Sequence, residues 1–160
     1  MGVVNASQHI AIRVADVERS ARFYIEAFDG HYLTRPFVGE GEAMEELMGG
    51  HPGLRVKVVI LGFAHGVIEL FEFLEPEHAP TTIDPPANNL IHWCIQVDDV
   101  EETLAKVLAA GGKTVRPLDN WGAATFVYCT DFDGNVFELL GQSMQEIAKL
   151  TIEMFPDAAP

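Results

Sequence analysis

The chain has 160 residues, 48% of them apolar, which suits a single domain or two small halves sharing one core. Ten Lys and Arg stand against 24 Asp and Glu, a net charge of −14, and a surface that negative repels phosphate backbones and anionic membranes, so neither nucleic acid nor a membrane is an expected partner. No apolar run has the length of a membrane span, MGVVNASQH lacks a basic-then-apolar signal pattern, and Cys94 and Cys129 form no CxxC motif; reduced thiols in a cytoplasmic protein are the expectation.

Residues 8–15, QHIAIRVA, alternate as a strand, with Ile10, Ile12 and Val14 on one face and His9, Ala11 and Arg13 on the other. Asp16 offers a helix N-cap; Val17, Ala21, Tyr24, Ile25 and Phe28 recur at helical spacing, and Asp29-Gly30 is a stop. Residues 31–36 read as a short strand ended by Pro36. FVGEGEAMEELMGGHPG is long for a loop and predicts a helical turn at Ala43–Met48. RVKVVILG (55–62) and GVIELFEF (66–73) read as two strands joined by a tight turn.

EPEHAPTTIDPPANN has the proline-rich, polar composition of a linker. The order then repeats: LIHWCIQV (90–97) as a strand, Asp98-Asp99 capping a helix through Ala110, a Gly111-Gly112 stop, then KTVRPL, GAATFVYCT and VFELLGQ as strands. Each half reads as strand-helix-strand-strand-strand, and the second lacks the long insertion. SMQEIAKLTIEMF adds an amphipathic helix, with Ser143 and Glu146 in capping-box spacing and Met144, Ile147, Leu150, Thr151 and Met154 as its apolar stripe.

Each half opens with a strand histidine and closes with a strand glutamate: His9 and Glu69, then His92 and Glu138. By alternation all four lie on the sheet face away from the helices. Two imidazoles and two carboxylates there make a nitrogen and oxygen donor set suited to a divalent metal. Singly, a strand histidine is more often structural than a ligand, and a glutamate amid VIELF fits the solvent side of an edge strand. Placement of all four at equivalent points of an internal repeat is not explained by packing. Two buried carboxylates without a cation would also repel one another and be costly to desolvate.

In HIAIRVADVERSARFY, VIELFEF, IHWCIQVDDVEETLAKVLAAGG and YCTDFDGNVFELLGQ, occurring in this order, the chain resembles the vicinal oxygen chelate superfamily, the group of glyoxalase I, methylmalonyl-CoA epimerase, extradiol dioxygenases and bleomycin-resistance proteins. The resemblance implies an α+β fold of two tandem βαβββ modules, 1–75 and 90–142, whose sheets cup a metal and substrate site. It implies a linker at 76–89 and a C-terminal helix and tail at 143–160, all within one structural domain, and assembly as a homodimer. His9, Glu69, His92 and Glu138 match the ligand set of bacterial-type glyoxalase I, and Arg13 falls on a glutathione-contacting arginine of that enzyme. That enzyme has an asparagine where this chain has Phe73, and methylmalonyl-CoA epimerases have glutamine where Glu69 stands.

The activity so implied is that of a metal-dependent isomerase, epimerase or lyase. It would hold one divalent ion (Ni, Co, Zn, Mn or Fe) and move a proton through a metal-stabilised enolate of a small oxygen-chelating substrate. Glu138 is the first choice of base and Glu69 the second. The alternatives on the same fold are a binding protein that sequesters its ligand and, third, an Fe(II) dioxygenase.

Other side chains carry weaker readings. Arg13 shares the His9 face and suits a substrate carboxylate or phosphate, or a structural salt bridge. Trp121, in the loop DNWGA, reads as a pocket wall or a surface-packing residue. Glu45, Glu46 and His51 belong to a lid or an acidic surface loop. Cys94 lacks an evident base, His31, His65 and His78 look like turn or linker residues, and Phe71 and Phe73 suit a pocket lining.

Overall fold

The computed structural model describes residues 8–77, 92–115, 117–121 and 124–158, with side chains left out of the description at 119–121. The chain forms two compact units, 1–82 and 83–160. The fold is α+β, one five-stranded sheet to each unit. Most of the linker expected at 76–89 lies outside the described residues.

In the first unit, β1 (Ile10–Arg13) leads into α1 (Val17–Phe28). Asp16 has the extended backbone of an N-cap and accepts from the Arg19 N–H at 2.9 Å, which satisfies one of the open donors of the first turn. Asp29 ends the helix in the left-handed region, at φ 52°. The strands β2 (His31–Tyr32), β3 (Phe37–Glu40), β4 (Arg55–Phe63) and β5 (Gly66–Glu75) complete the sheet, with α2 (Glu42–Leu47) between β3 and β4. The order is β1-β5-β4-β2, with β3 also on β4; β1 runs parallel to β5 and the other pairs are antiparallel. Of the strand expected at 31–36 only β2 forms, and β3 is a further strand that opens the stretch expected as a loop. Pro36, which donates no hydrogen bond, stands between them.

Register decides which face each side chain takes. Ile10, Ile12 and Arg13 pair with Ile68, Leu70 and Phe71, and Ala11 pairs with Glu69. Ile60 stands beside Glu69 and Val58 beside Phe71. Ile12, Ile68, Leu70, Val59 and Leu61 are buried together with the α1 residues Val17, Ala21, Phe23 and Tyr24. Each of the Val, Leu, Ile and Phe side chains among them contributes about 1.5–3 kcal/mol by leaving water. A slip of one residue would exchange the two faces, so this burial also orients Glu69.

The face opposite α1 is not bare, contrary to the expectation from alternation. Met44 and Met48 pack on Leu54, Val56 and Val58 of that face, together with Phe71 and Phe73. Gly39 lies beneath Met44, whose Cε occupies the space that a Cβ would need. Glu45 secures the return of the chain by accepting from the Gly53 N–H at 2.8 Å. The insertion is thus a strand and a docked helix rather than a surface loop.

The second unit repeats the plan with β6 (Trp93–Gln96), α3 (Val100–Ala109), β7 (Lys113–Thr114), β8 (Asp119–Trp121), β9 (Ala124–Thr130) and β10 (Val136–Leu140). Its order is β6-β10-β9-β7, with β8 also on β9, and β6 parallel to β10. Asp99 caps α3 by accepting from the Glu102 N–H at 2.9 Å. Phe137, Leu139, Val127 and Cys129 are buried with Val100 and Val107 of α3. Asp131, 3% exposed, closes the DFDGN turn by accepting from the Asp133 and Asn135 backbone N–H groups, both at 2.9 Å. The last helix, α4 (Met144–Met154), carries the full Ser143–Glu146 capping box. None of its residues is buried, and Met144 is 65% exposed.

Candidate metal centre

His9 and His92 each lie one residue before a strand, β1 and β6, and Glu69 and Glu138 lie within β5 and β10. The parallel pairing of first and last strand brings histidine and glutamate of each half together. His9 Nε2 stands 3.3 Å from Glu69 Oε2, and His92 Nε2 stands 3.2 Å from Glu138 Oε2. Both distances exceed the 2.7–2.9 Å typical of a charge-assisted N–H···O⁻ bond. They match two donors held about 2.1 Å from one ion, which stand about 3.0–3.4 Å apart at octahedral to tetrahedral angles.

The outer nitrogen of His9 supports the same fit. Gln8 Oε1 lies 3.0 Å from His9 Nδ1, and since an amide oxygen only accepts, Nδ1 carries the hydrogen. Nε2 is then the nitrogen that faces the Glu69 carboxylate, and a proton or a metal ion can lie between them. A ring N–H held by an oxygen is the usual companion of a metal-bound imidazole. In the second unit, His92 Nδ1 is buried with no hydrogen-bond partner among the described residues. The ring of His92 instead meets Tyr128 edge-on, with centroids 5.0 Å apart. The His9–Glu69 pair therefore fits a divalent metal by spacing and by its outer hydrogen bond, and the His92–Glu138 pair by spacing alone.

The surroundings of the two carboxylates differ. Glu69 has Ala11 and Ile60 as its cross-strand neighbours, whereas Glu138 has Cys94 and Tyr128. Crowding by the sheet, then the Glu138 charge and a hydrogen bond to it, push the exposed Cys94 thiol up to about 12. At neutral pH Cys94 is therefore a donor to Glu138 and not a nucleophile. Arg13 pairs with Phe71, and its guanidinium carbon lies 5.4 Å from the centre of the Phe73 ring. Phe71 and Phe73 are held from behind by Met44 and Met48. Trp121 is in strand β8 opposite Ala124, not in a loop. His65 sits at the β4–β5 turn, His51 is exposed, and His78 lies outside the described residues.

Among the described residues, the one group of three or more metal-capable side chains within 4.8 Å is Asp16, Glu18 and Glu72. It already has its cation. Lys57 Nζ is 2.9 Å from Glu18 and 3.8 Å from Glu72. The bond to Glu18, outweighing burial, raises the Lys57 pKa. Glu72 also accepts from the Val17 N–H at 3.0 Å, so this cluster fastens the start of α1 to the sheet.

One residue on the Glu69 face has, in sequence, only the look of a turn residue. His31, on β2, pairs with Gly62, and its Nε2 and Cε1 lie 2.9 and 3.0 Å from where a Gly62 Cβ would be. Gly62 has the same strand parity as Ile60, so the His31 ring rests on the face that carries Glu69. A glycine inside a strand pattern is the available signal, since it marks close approach.

The profile of the Glyoxalase/Bleomycin resistance protein/Dioxygenase superfamily matches residues 6–139. The chain belongs to this superfamily. Its sequence is 27% identical over 135 residues to a putative lactoylglutathione lyase of Brassica oleracea var. gemmifera, covering 82% of this chain and 43% of that protein. The chain spans about a third to a half of the length of the curated relatives it matches. In structure it is similar to a glyoxalase family protein from Bacillus cereus, with TM-score 0.76 and 18% identity, covering 88% of this chain and 95% of that one. It is also similar to a glutamate-to-glutamine mutant of the fosfomycin resistance protein of Listeria monocytogenes, with TM-score 0.59 and 17% identity over 96% and 99% of the two chains. That protein is complexed with Mn(II) and 1S,2S-dihydroxypropylphosphonic acid. Superfamily membership accords with the two repeated halves.

Proposed function

We propose that this protein is a metal-dependent lyase or isomerase of the glyoxalase type. It moves a proton on a small substrate that offers two neighbouring oxygens. His9, Glu69, His92 and Glu138 are its metal ligands, and a cytoplasmic homodimer is the form in which it acts. The observation that carries the reading is the duplicated His–Glu pair, at 3.3 and 3.2 Å, with Gln8 turning Nε2 of His9 toward Glu69. The lyase names of its relatives and the Mn(II) of the Listeria protein favour the same reading.

The ion, when bound, supplies Lewis-acid stabilisation of negative charge developing on a substrate oxygen. The chain's own groups do the rest. Glu138 takes the proton from the substrate carbon at a carboxylate oxygen and returns it to a neighbouring carbon or the opposite face; Glu69 is the second base. Cys94 is the cross-strand neighbour of Glu138. Arg13, laid on Phe73, receives a carboxylate or phosphate of the substrate, and Phe71 keeps water from the reacting carbon. Trp121 belongs to the proposal as a wall of the substrate pocket.

Metal content per chain, measured by mass spectrometry on untagged protein, tests the assignment. About one transition-metal ion per wild-type chain, much reduced in Glu69→Ala, is expected of a four-ligand site. No metal, and none taken up on adding Ni, Co, Zn, Mn or Fe, would leave a ligand-binding member of the superfamily.

A further inference from the structure

On the first unit's sheet, rows of side chains can be read across the strands. Val67 and Gly62 make one row, with His31 beyond; Glu69, Ile60 and Ala11 make the next; Phe71, Val58 and Arg13 the third; Phe73 and Val56 the fourth. The third and fourth rows are occupied, because Met44 and Met48 pack on Val56, Val58, Phe71 and Phe73. Beyond the first row the strands end at the turn between Phe63 and Gly66. What the insertion leaves for a ligand beside Glu69 is a strip two rows deep. Its floor is Ala11, Ile60, Val67 and Gly62, and at its far side stand His31 and Leu33, whose Cδ2 lies 3.1 Å from the same point over Gly62.

Diagonal neighbours on adjacent antiparallel strands stand about 7–8 Å apart, and this is the relation between Gly62 and Glu69. The His31 imidazole lies directly over Gly62, in space open only because that residue lacks a Cβ. A hydrogen-bonding ring is thus placed one small molecule away from the His9–Glu69 pair, on the same face.

We propose that His31 is a substrate-binding residue that selects compact substrates carrying a second anionic or hydrogen-bonding group beyond the chelating oxygens. The inference rests on the metal reading above and names the class of molecule for that site: a short hydroxy or keto acid with a second carboxylate, phosphonate or similar group. The strip lies across the strands because the methionines of the insertion block it along them. His31 is therefore placed for the distal group, and Arg13, one row beyond Glu69 and not covered by the methionines, for the carboxylate of the chelating end at His9 and Glu69.

The test uses the full chain loaded with Mn(II), its metal content measured first, and two probes of equal length, 2-hydroxyglutarate and 2-hydroxypentanoate, compared by calorimetry. The wild type is expected to prefer 2-hydroxyglutarate by at least about tenfold, the scale of one charge-assisted contact. His31→Ala should reduce the preference to below about twofold, with His31→Gln intermediate. Gly62→Ala should weaken it without altering the imidazole, because the new Cβ displaces the ring. A metal-loaded wild type without the preference would overturn the role of His31. So would a preference that survives His31→Ala, or one lost only in Arg13→Gln. Failure to load metal would instead strike the metal reading itself, and the two failures are distinguished before any probe is added.

Discussion

Gln8 Oε1 accepts from Nδ1 of His9 at 3.0 Å while Nε2 of the same ring faces Glu69 Oε2 at 3.3 Å, so one side of the ring is held by an amide and the other is turned to a carboxylate. Replacing Gln8 with leucine leaves the ring free to turn and to change tautomer. Metal affinity is expected to fall about 10–100-fold, the range usual for loss of such an outer partner. Competition with a coloured chelator measures it. Unchanged affinity would show that Gln8 does not orient the ligand.

Glu138 has the Cys94 thiol as its cross-strand neighbour, and its proposed roles are to hold an ion and to exchange a proton. Glu138→Gln keeps an oxygen donor but removes the base. Exchange of a substrate C–H in D₂O, followed by mass spectrometry or NMR, should drop by about 10²–10⁴-fold, while most of the metal stays bound. Exchange at the wild-type rate would exclude Glu138 as the base and pass the role to Glu69.

Lys57 ties β4 to the start of α1 through Glu18 and Glu72. Its folded pKa is raised above the ordinary 10.5, by the Glu18 bond first. The sign is therefore that of a cation with a partner: the stabilisation is fully present below the unfolded value and is lost as pH rises through the folded one. With Glu18 nearly half exposed, the pair is worth about 0.2–1 kcal/mol. Lys57→Met should lower the urea midpoint at pH 7 and 9, and the gap to wild type should close above pH ~10.5. A gap that persisted at high pH would assign the loss to packing.

Much of the architecture was legible because its signals are local. Asp16, Asp99 and the Ser143–Glu146 pair cap the helices expected of them. That the 31–36 strand is only the two residues of β2, with a further strand after Pro36, was not legible. β2 has only two residues, and what makes it a strand is pairing with Leu61 and Gly62. Nor was the docking of α2, since Met44 and Met48 in an acidic stretch show no partner until Gly39, Val56 and Phe73 are beneath them. The place of His31 is hidden for the same reason: its neighbour in space, Gly62, is distant in sequence.

The sequence by itself determined the α+β class and the internal repeat, and it put His9, Glu69, His92 and Glu138 at equivalent points of that repeat. These depend on period-2 and period-3.6 patterning and on recurrence, which a chain displays without being folded. Only the tertiary structure decided that Nε2 is the nitrogen facing each carboxylate, that Gln8 holds one ring, and that Lys57 already neutralises the Asp16–Glu18–Glu72 cluster. It also decided that Cys94 rather than an alanine stands beside Glu138. Those relations join strands and helices far apart in the chain, and their geometry is settled by sheet register and by what packs on each face, neither of which is written in any one segment.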